Sequence, residues 1–210
     1  MMKKSSLEKI NVLIQRYVDV KLCEKEIIAT TELLIEAFQN GNKLLVCGNG
    51  GSAADSEHIV GELMKGFILP RKLKKDLVTK INDKELTDVL QYGLPAISLV
   101  SHTALSTAFS NDQLPAAVFA QQVLGYGKAG DVLLCISTSG NSLNCLYAAK
   151  VAKALGVKVV SLTGDKDSKL SAISDITIKA PAIKTFEIQE YHLPIYHAIC
   201  LAVENEFYGE

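Results

Sequence analysis

A chain of 210 residues is long enough for one medium domain with a full core. Its 48% hydrophobic and 21% charged residues make an ordinary soluble profile, and a net charge of −1 supplies no global field for nucleic acid or membrane surfaces. The longest apolar runs have strand length, so no membrane-crossing helix is expected, and the basic start Met1–Ser6 runs into Glu8, Lys9 and Asn11, which argues against a signal peptide.

In chain order, residues 5–20 and 24–40 read as two helices, the second stopped by Gly41 in the usual position just past a helix end. Lys43–Cys47 reads as a first buried strand. It enters a loop nearly without side chains, Gly48-Asn49-Gly50-Gly51-Ser52, and then a helix with Ser52 at or near its N-cap. Residues 68–93 change character. Many charges are interleaved with spaced apolar residues, which predicts an exposed helical excursion of up to two short helices, with the charges on a solvated face. Leu94–Val100 is the second strand, and Ser101–Asp112 a loop with a short helix ending in Asn111-Asp112. A helix over 116–127 follows, then strand three at Asp131–Ser137, a helix from the loop Ser137–Ser142 to Leu155, strand four at Val157–Leu162 and strand five at Asp175–Ala180. A long helix, Phe186–Phe207, closes the chain; Pro194 removes one of its N–H groups and predicts a kink.

Strands and helices alternate, and the strands are almost continuously apolar. That predicts a parallel sheet covered by helices on both faces, an α/β three-layer sandwich with a five-stranded flavodoxin-like sheet. No repeat or linker appears, so residues 1–210 are expected to form one domain. Residues 1–42 would supply helices packed outside the core or in an oligomer interface. Five cysteines without CxxC spacing are expected to be reduced thiols of a cytoplasmic protein, with Cys47 and Cys135 as small apolar strand residues.

Two loops could bind anions. A strand, a glycine loop and a helix point free backbone N–H groups outward at Gly48–Ser52. The loop Ser137-Thr138-Ser139-Gly140-Asn141-Ser142 brings hydroxyls and helix-start amides together, which suits a phosphate without Lys or Arg. Neither matches GxxxxGK[ST] or GxGxxG, so nucleotide and dinucleotide fingerprints are unsupported. His58 and Glu62, four residues apart, lie about 40° apart on one helix face. The final helix carries Gln189, Glu190, His192 and His197. Together these could hold a divalent metal, zinc first, or move protons. Spacing alone does not bring the two helices together.

GNGGSAAD-x-x-H-x-x-x-E-L in 48–63, ISTSGNS in 136–142 and IQE-x-H-x-x-x-x-H in 188–197 resemble the phosphoheptose isomerases, proteins of the sugar isomerase (SIS) domain. The resemblance spans nearly the whole chain outside residues 68–93. It implies conversion of sedoheptulose 7-phosphate to D-glycero-D-manno-heptose 7-phosphate for heptose and surface carbohydrate biosynthesis. By position it implies substrate contacts from Asn49, Gly50, Gly51, Ser52, Asn111, Asp112 and Gln189. It implies a phosphate site at Ser137, Thr138, Ser139 and Ser142, and zinc ligands His58, Glu62, Gln189 and His197. Glu62 and His197 would be the catalytic acid/base pair. It further implies a homotetramer with sites between subunits, in which Gln189 and His197 are expected to reach His58 and Glu62 across an interface.

The chain departs from the family pattern in three places. The 68–93 excursion is longer than the usual connection. Lys65-Gly66-Phe67 stands where an Arg is common, and Phe186-Glu187 where Asp-Arg is common. These positions bear on which sugar is bound. The alternatives from other classes are a non-catalytic paralogue that binds a sugar phosphate or a protein such as the replication initiator, an isomerase of another sugar phosphate, and an etherase of the same superfamily. Retention of both His192 and His197 favours the enzyme.

Overall fold

The computed structural model describes residues 2–210. Helices α1 (Lys4–Arg16) and α2 (Glu24–Gln39) flank a 3-10 segment, Val18–Cys23. Strand β1 (Leu44–Gly48) leads into α3 (Gly51–Met64). The excursion contains α4 (Lys75–Ile81) and α5 (Lys84–Val89), and is followed by β2 (Ala96–Ser98) and α6 (Thr103–Asp112). Then come α7 (Val118–Tyr126), β3 (Val132–Ile136), α8 (Leu143–Ala154), β4 (Lys158–Thr163), β5 (Ile176–Lys179) and α9 (Thr185–Tyr208).

All five strands are parallel, in the order β2-β1-β3-β4-β5. This is the flavodoxin-like arrangement expected from the alternation. Its sides follow from strand geometry, because successive side chains point to opposite faces. Leu44, Val46, Val132, Leu134, Ile136, Val160, Leu162 and Ile178 face a core built with α1, α2, α3 and α9. Leu45, Cys47, Leu133, Cys135 and Val159 face the other core, under α7 and α8. Buried on both faces, the strands need the continuous apolar runs that the sequence has.

The chain leaves β1 for one neighbour, β2, and returns to the other side of β1 as β3. Ligands of open α/β sheets bind at such a reversal, beyond the carboxyl ends of the strands. The glycine loop follows β1 and the serine loop follows β3, so both open onto that crevice. Register fixes their depth: Gly48 pairs with Ile136, directly before the two loops.

Several expectations need correcting. The first helix ends at Arg16, and the second strand is only three residues long. The N-terminal helices are not outside the core: Ile10, Leu13, Ile27 and Leu34 are buried in it. Ser52 does not cap α3. The cap position is Gly50, at φ 56°, a left-handed backbone that glycine adopts without strain, and Ser52 is buried one residue inside the helix. Helix α9, with Pro194 inside it, extends one residue beyond the expected bounds at each end, Thr185–Tyr208.

The excursion is largely exposed, as expected, but its charges are not all solvated. Arg71 is 1% exposed and Glu204, on α9, is 0% exposed. Arg71 Nε donates to Glu204 Oε1 at 2.9 Å. The same carboxylate accepts from the backbone N–H groups of Phe67 (2.7 Å), Ile68 (3.0 Å) and Leu69 (3.2 Å). The remaining guanidinium N–H groups donate to the carbonyls of Leu63 and Glu62, the last turn of α3. A buried ion pair therefore ties the root of the excursion to α9 and caps the helix that carries Glu62. All five cysteines are free and buried.

Candidate active site

Beyond β1 the chain turns through Gly50 and begins α3 at Gly51. A Cβ on Gly51 would stand 2.6 Å from Gln189 Nε2, so the α9 side chain lies directly on the glycine loop. Asn49 and Asn144, in the first turn of α8, exchange two amide hydrogen bonds of 3.0 and 2.8 Å. This reciprocal pair locks the glycine loop to the helix that leaves the serine loop. Ser137 and Ser142 hydroxyls meet at 2.9 Å across the serine loop, and the Asn141 N–H donates to Ser139 Oγ at 3.2 Å. A cleft of about 260 Å³ opens beside Thr138 and Ser139, lined also by Asn141, Gly164, Lys166 and Thr185. Hydroxyls at the start of α8, next to a cleft bearing a lysine, can bind an anionic group.

Helix α3 packs against α9, and one chain supplies the whole ionisable cluster. His58 Nε2 lies 3.2 Å from Glu62 Oε1 and 3.5 Å from His197 Nε2. His58, Glu62 and His197 are brought together within the chain, so for His197 the anticipated meeting across a subunit interface is corrected; Gln189, two turns earlier on α9, lies against Gly51 and is not brought to them within the chain. Glu62 Oε2 also accepts from Lys65 Nζ at 2.9 Å. Phe67 covers His197, their ring centroids 5.4 Å apart. Burial, and to a lesser degree the neighbouring His58, holds the His197 imidazole below the usual histidine range, while Glu62 pulls it back up.

His58 has a second set of partners. Tyr196 Oη is 2.9 Å from His58 Nδ1 and 3.2 Å from Asp55 Oδ1. Burial raises the Asp55 carboxyl above its usual range, against the opposing pull of the Tyr196 hydroxyl and His58. Burial and then Asp55 push the Tyr196 phenol up. His192 is fully buried; its Nε2 donates to the Thr163 carbonyl at 3.2 Å, its Nδ1 has no partner among the described residues, and burial lowers it to about 4. It is a neutral anchor between α9 and the end of β4, not a member of the cluster.

Among the described residues no group of three or more His, Cys, Asp or Glu side chains is closed around a point as a formed metal centre. The donor set nonetheless fits zinc. Two imidazole nitrogens and a carboxylate oxygen are its usual ligands, and bonds of 2.0–2.1 Å in a tetrahedron put ligands roughly 3.4 Å apart. The two separations of 3.2 and 3.5 Å match that spacing.

Asn111 and Asp112 end α6, exposed, with the Asn111 amide donating to Asp112 Oδ1 at 2.9 Å. No hydrogen bond joins them to either loop among the described residues. The sequence reading missed Asp55, Tyr196, Asn144 and the Arg71–Glu204 pair. Asp55 had a signal, since Asp55, His58 and Glu62 follow i, i+3, i+7 along one face. Arg71 and Glu204 are 133 residues apart, and no local pattern links them.

These features define a class, an SIS domain: the family model with that description matches residues 7–93 and 85–164. Among curated relatives, the phosphoheptose isomerase of Aliarcobacter butzleri is 36% identical over 187 residues, 89% of this chain and 88% of that protein. That of Aneurinibacillus thermoaerophilus is 37% identical over 202 residues, 93% of this chain and 92% of that protein. The solved phosphoheptose isomerase from Francisella tularensis superposes with a TM-score of 0.75 at 31% identity, covering 95% of this chain and 98% of that one. The one from Neisseria gonorrhoeae gives 0.74 at 33% identity, covering 94% of both. The chain belongs to the phosphoheptose isomerase family.

Proposed function

We propose that this protein interconverts sedoheptulose 7-phosphate and D-glycero-D-manno-heptose 7-phosphate, as a step in making heptose for surface carbohydrate. The observation that carries the reading is the gathering of His58, Glu62 and His197 in one chain, on α3, the helix that leaves the glycine loop, and on α9.

Aldose–ketose isomerisation moves a proton between C1 and C2 through an enediolate, and needs a base, an acid and a means of stabilising the oxyanion. Glu62 takes the carbon-bound proton and returns it to the neighbouring carbon. His197 transfers the proton between the two oxygens. The serine loop, with Ser137, Thr138, Ser139 and Ser142, holds the phosphate. That remote binding fixes the reacting carbons and lowers the entropic part of the barrier. Asn49, Gly50, Gly51 and Ser52 present backbone and small side chains to the sugar, with Gln189 above them; Asn111 and Asp112 complete its contacts when substrate binds.

His58, Glu62 and His197 would hold a zinc ion, with Gln189 the fourth ligand where a neighbouring subunit of the oligomer brings it to them. When bound it would polarise the sugar carbonyl as a Lewis acid. A carboxylate bound to metal is a weaker base, so Glu62 serves as ligand and as base at different moments. Exposed Val18 (70%) and Leu22 (82%), together with Val12 and Leu193 near His197, support assembly into a homo-oligomer, a tetramer by family likeness. No helix among the described residues is long and apolar enough to cross a membrane; a cytoplasmic location is part of the proposal by family likeness alone.

The test is turnover. Purified protein given zinc should interconvert the two heptose phosphates. No conversion of sedoheptulose 7-phosphate, alongside turnover of other ketose phosphates, would make this an isomerase of a different sugar.

A further inference from the structure

Tyr196 is a neighbour of the His58, Glu62 and His197 cluster that the proposed chemistry does not use. It comes from α9, is 2% exposed, and reaches across to α3. Its hydroxyl stands between Asp55 Oδ1 (3.2 Å) and His58 Nδ1 (2.9 Å). Asp55 and His58 are one helical turn apart, so both project toward α9. The tyrosine ring meets His58 edge to face, with centroids 5.5 Å apart and planes at 77°.

One hydroxyl has one proton to give, and two hydrogen-bond networks are open to it. In the first, Tyr196 donates to Asp55 and accepts from His58 Nδ1–H. His58 Nε2 is then a bare lone pair. In the second, Tyr196 donates to His58 Nδ1, and His58 Nε2–H donates to Glu62 Oε1 at 3.2 Å. The second network leaves Asp55 with no donor among the described residues, and sets its carboxylate against a phenol lone pair. Each network makes one bond to a carboxylate, but Glu62 keeps Lys65 Nζ as a donor at 2.9 Å in the first network, whereas Asp55, which can only accept, has no other donor among the described residues in the second. The first network therefore prevails.

We propose that Tyr196, held by Asp55, is a positioning residue: it fixes His58 as the Nδ1–H tautomer and aims the Nε2 lone pair at the point it shares with Glu62 and His197. The consequence rests on reading His58 as a metal ligand. The fixed tautomer readies the nitrogen for a cation without prior proton loss, and prevents Glu62 from being occupied as the acceptor of a His58 Nε2–H. Partners of this kind orient metal-binding imidazoles, and their removal typically costs 10–100-fold in metal affinity.

The test separates the tautomer from the metal. In metal-free, ¹⁵N-labelled protein at about pH 8.5, where imidazoles with ordinary behaviour are neutral, two-bond ¹H–¹⁵N correlations report which His58 nitrogen carries the proton. The wild type is expected to show Nδ1–H. Tyr196→Phe, which keeps the ring, and Asp55→Ala, which frees the hydroxyl proton for His58, should both move His58 toward Nε2–H. Zinc titration of the same samples should show affinity lower by roughly 10–100-fold in both variants. An Nε2–H His58 in the wild type overturns the proposal. So does a His58 signal unchanged in both variants, with the remaining amide spectrum showing them folded. A switched tautomer in a protein that binds no zinc upholds Tyr196 as the positioning residue and overturns the metal assignment instead.

Discussion

Replacing Arg71 with Met tests the ion pair that anchors α3, the helix that carries Glu62. The substitution keeps the volume and removes the charge. It leaves Glu204 at 0% exposure with only the Phe67, Ile68 and Leu69 N–H groups as partners. Breaking a buried pair from one side costs about 3–5 kcal/mol. The carbonyls of Glu62 and Leu63 lose their guanidinium donors too, at roughly 1 kcal/mol between them, since Leu63 also accepts from Leu94 N–H. The sum is about 4–6 kcal/mol, a large part of the roughly 5–15 kcal/mol by which a domain is stable. For a chain of this size that lowers Tm by roughly 8–24 °C. Thermal and urea unfolding followed by circular dichroism would measure it. Arg71→Met with Glu204→Gln should be more stable than Arg71→Met alone, because Gln still accepts from the backbone N–H groups and carries no charge. A loss below about 1 kcal/mol in Arg71→Met, or a double variant less stable than the single one, would show that the pair does not anchor the excursion.

His192 gives a pH dependence. Its folded value, about 4, lies below the ordinary 6.5, so the unfolded chain takes up a proton that the folded chain refuses. Its contribution is intact above pH 6.5 and is lost as pH falls toward 4, by about 3 kcal/mol at most. His192→Gln should flatten unfolding free energies across that window, and an unchanged slope would contradict the burial argument. Glu62→Gln and His197→Gln should each lower kcat by roughly 10²–10⁴-fold in steady-state assays, with folding intact. Ser139→Ala with Ser142→Ala should raise KM for the phosphosugar by roughly 10²–10⁴-fold, because each loses a hydrogen bond to a charged group. Chelation should abolish activity and added zinc restore it; full activity after chelation with no divalent ion detected would remove the metal from the account.

The sheet could be foreseen because its strands are buried on both faces and so are apolar throughout, as in Leu133–Ile136. Both loops could be foreseen because glycine and hydroxyl residues cluster where a strand meets a helix. Boundaries were less accessible. Ser52 looks like a cap by residue type, yet the left-handed turn at Gly50 starts the helix earlier. Helical spacing set His58 beside Glu62, but only the packing of α3 on α9 shows His197 arriving from the same chain. Tyr196 is a large, mostly apolar side chain in a buried helix, and its role rests on one hydroxyl placed between two groups 138 and 141 residues away. Arg71 sat in a charged run that otherwise is solvated, and its burial depends on a carboxylate at the far end of the chain.

Proton transfer at carbon by Glu62 is the claim on which the rest depends. Sedoheptulose 7-phosphate incubated with the protein in D₂O should acquire deuterium at the carbon that exchanges its proton with solvent, as isomerisation proceeds. Glu62→Gln should bind the phosphosugar and incorporate none above background. Equal deuterium incorporation by the wild type and Glu62→Gln would contradict the assignment of the base, and with it the reading of the His58, Glu62 and His197 cluster as the reacting centre.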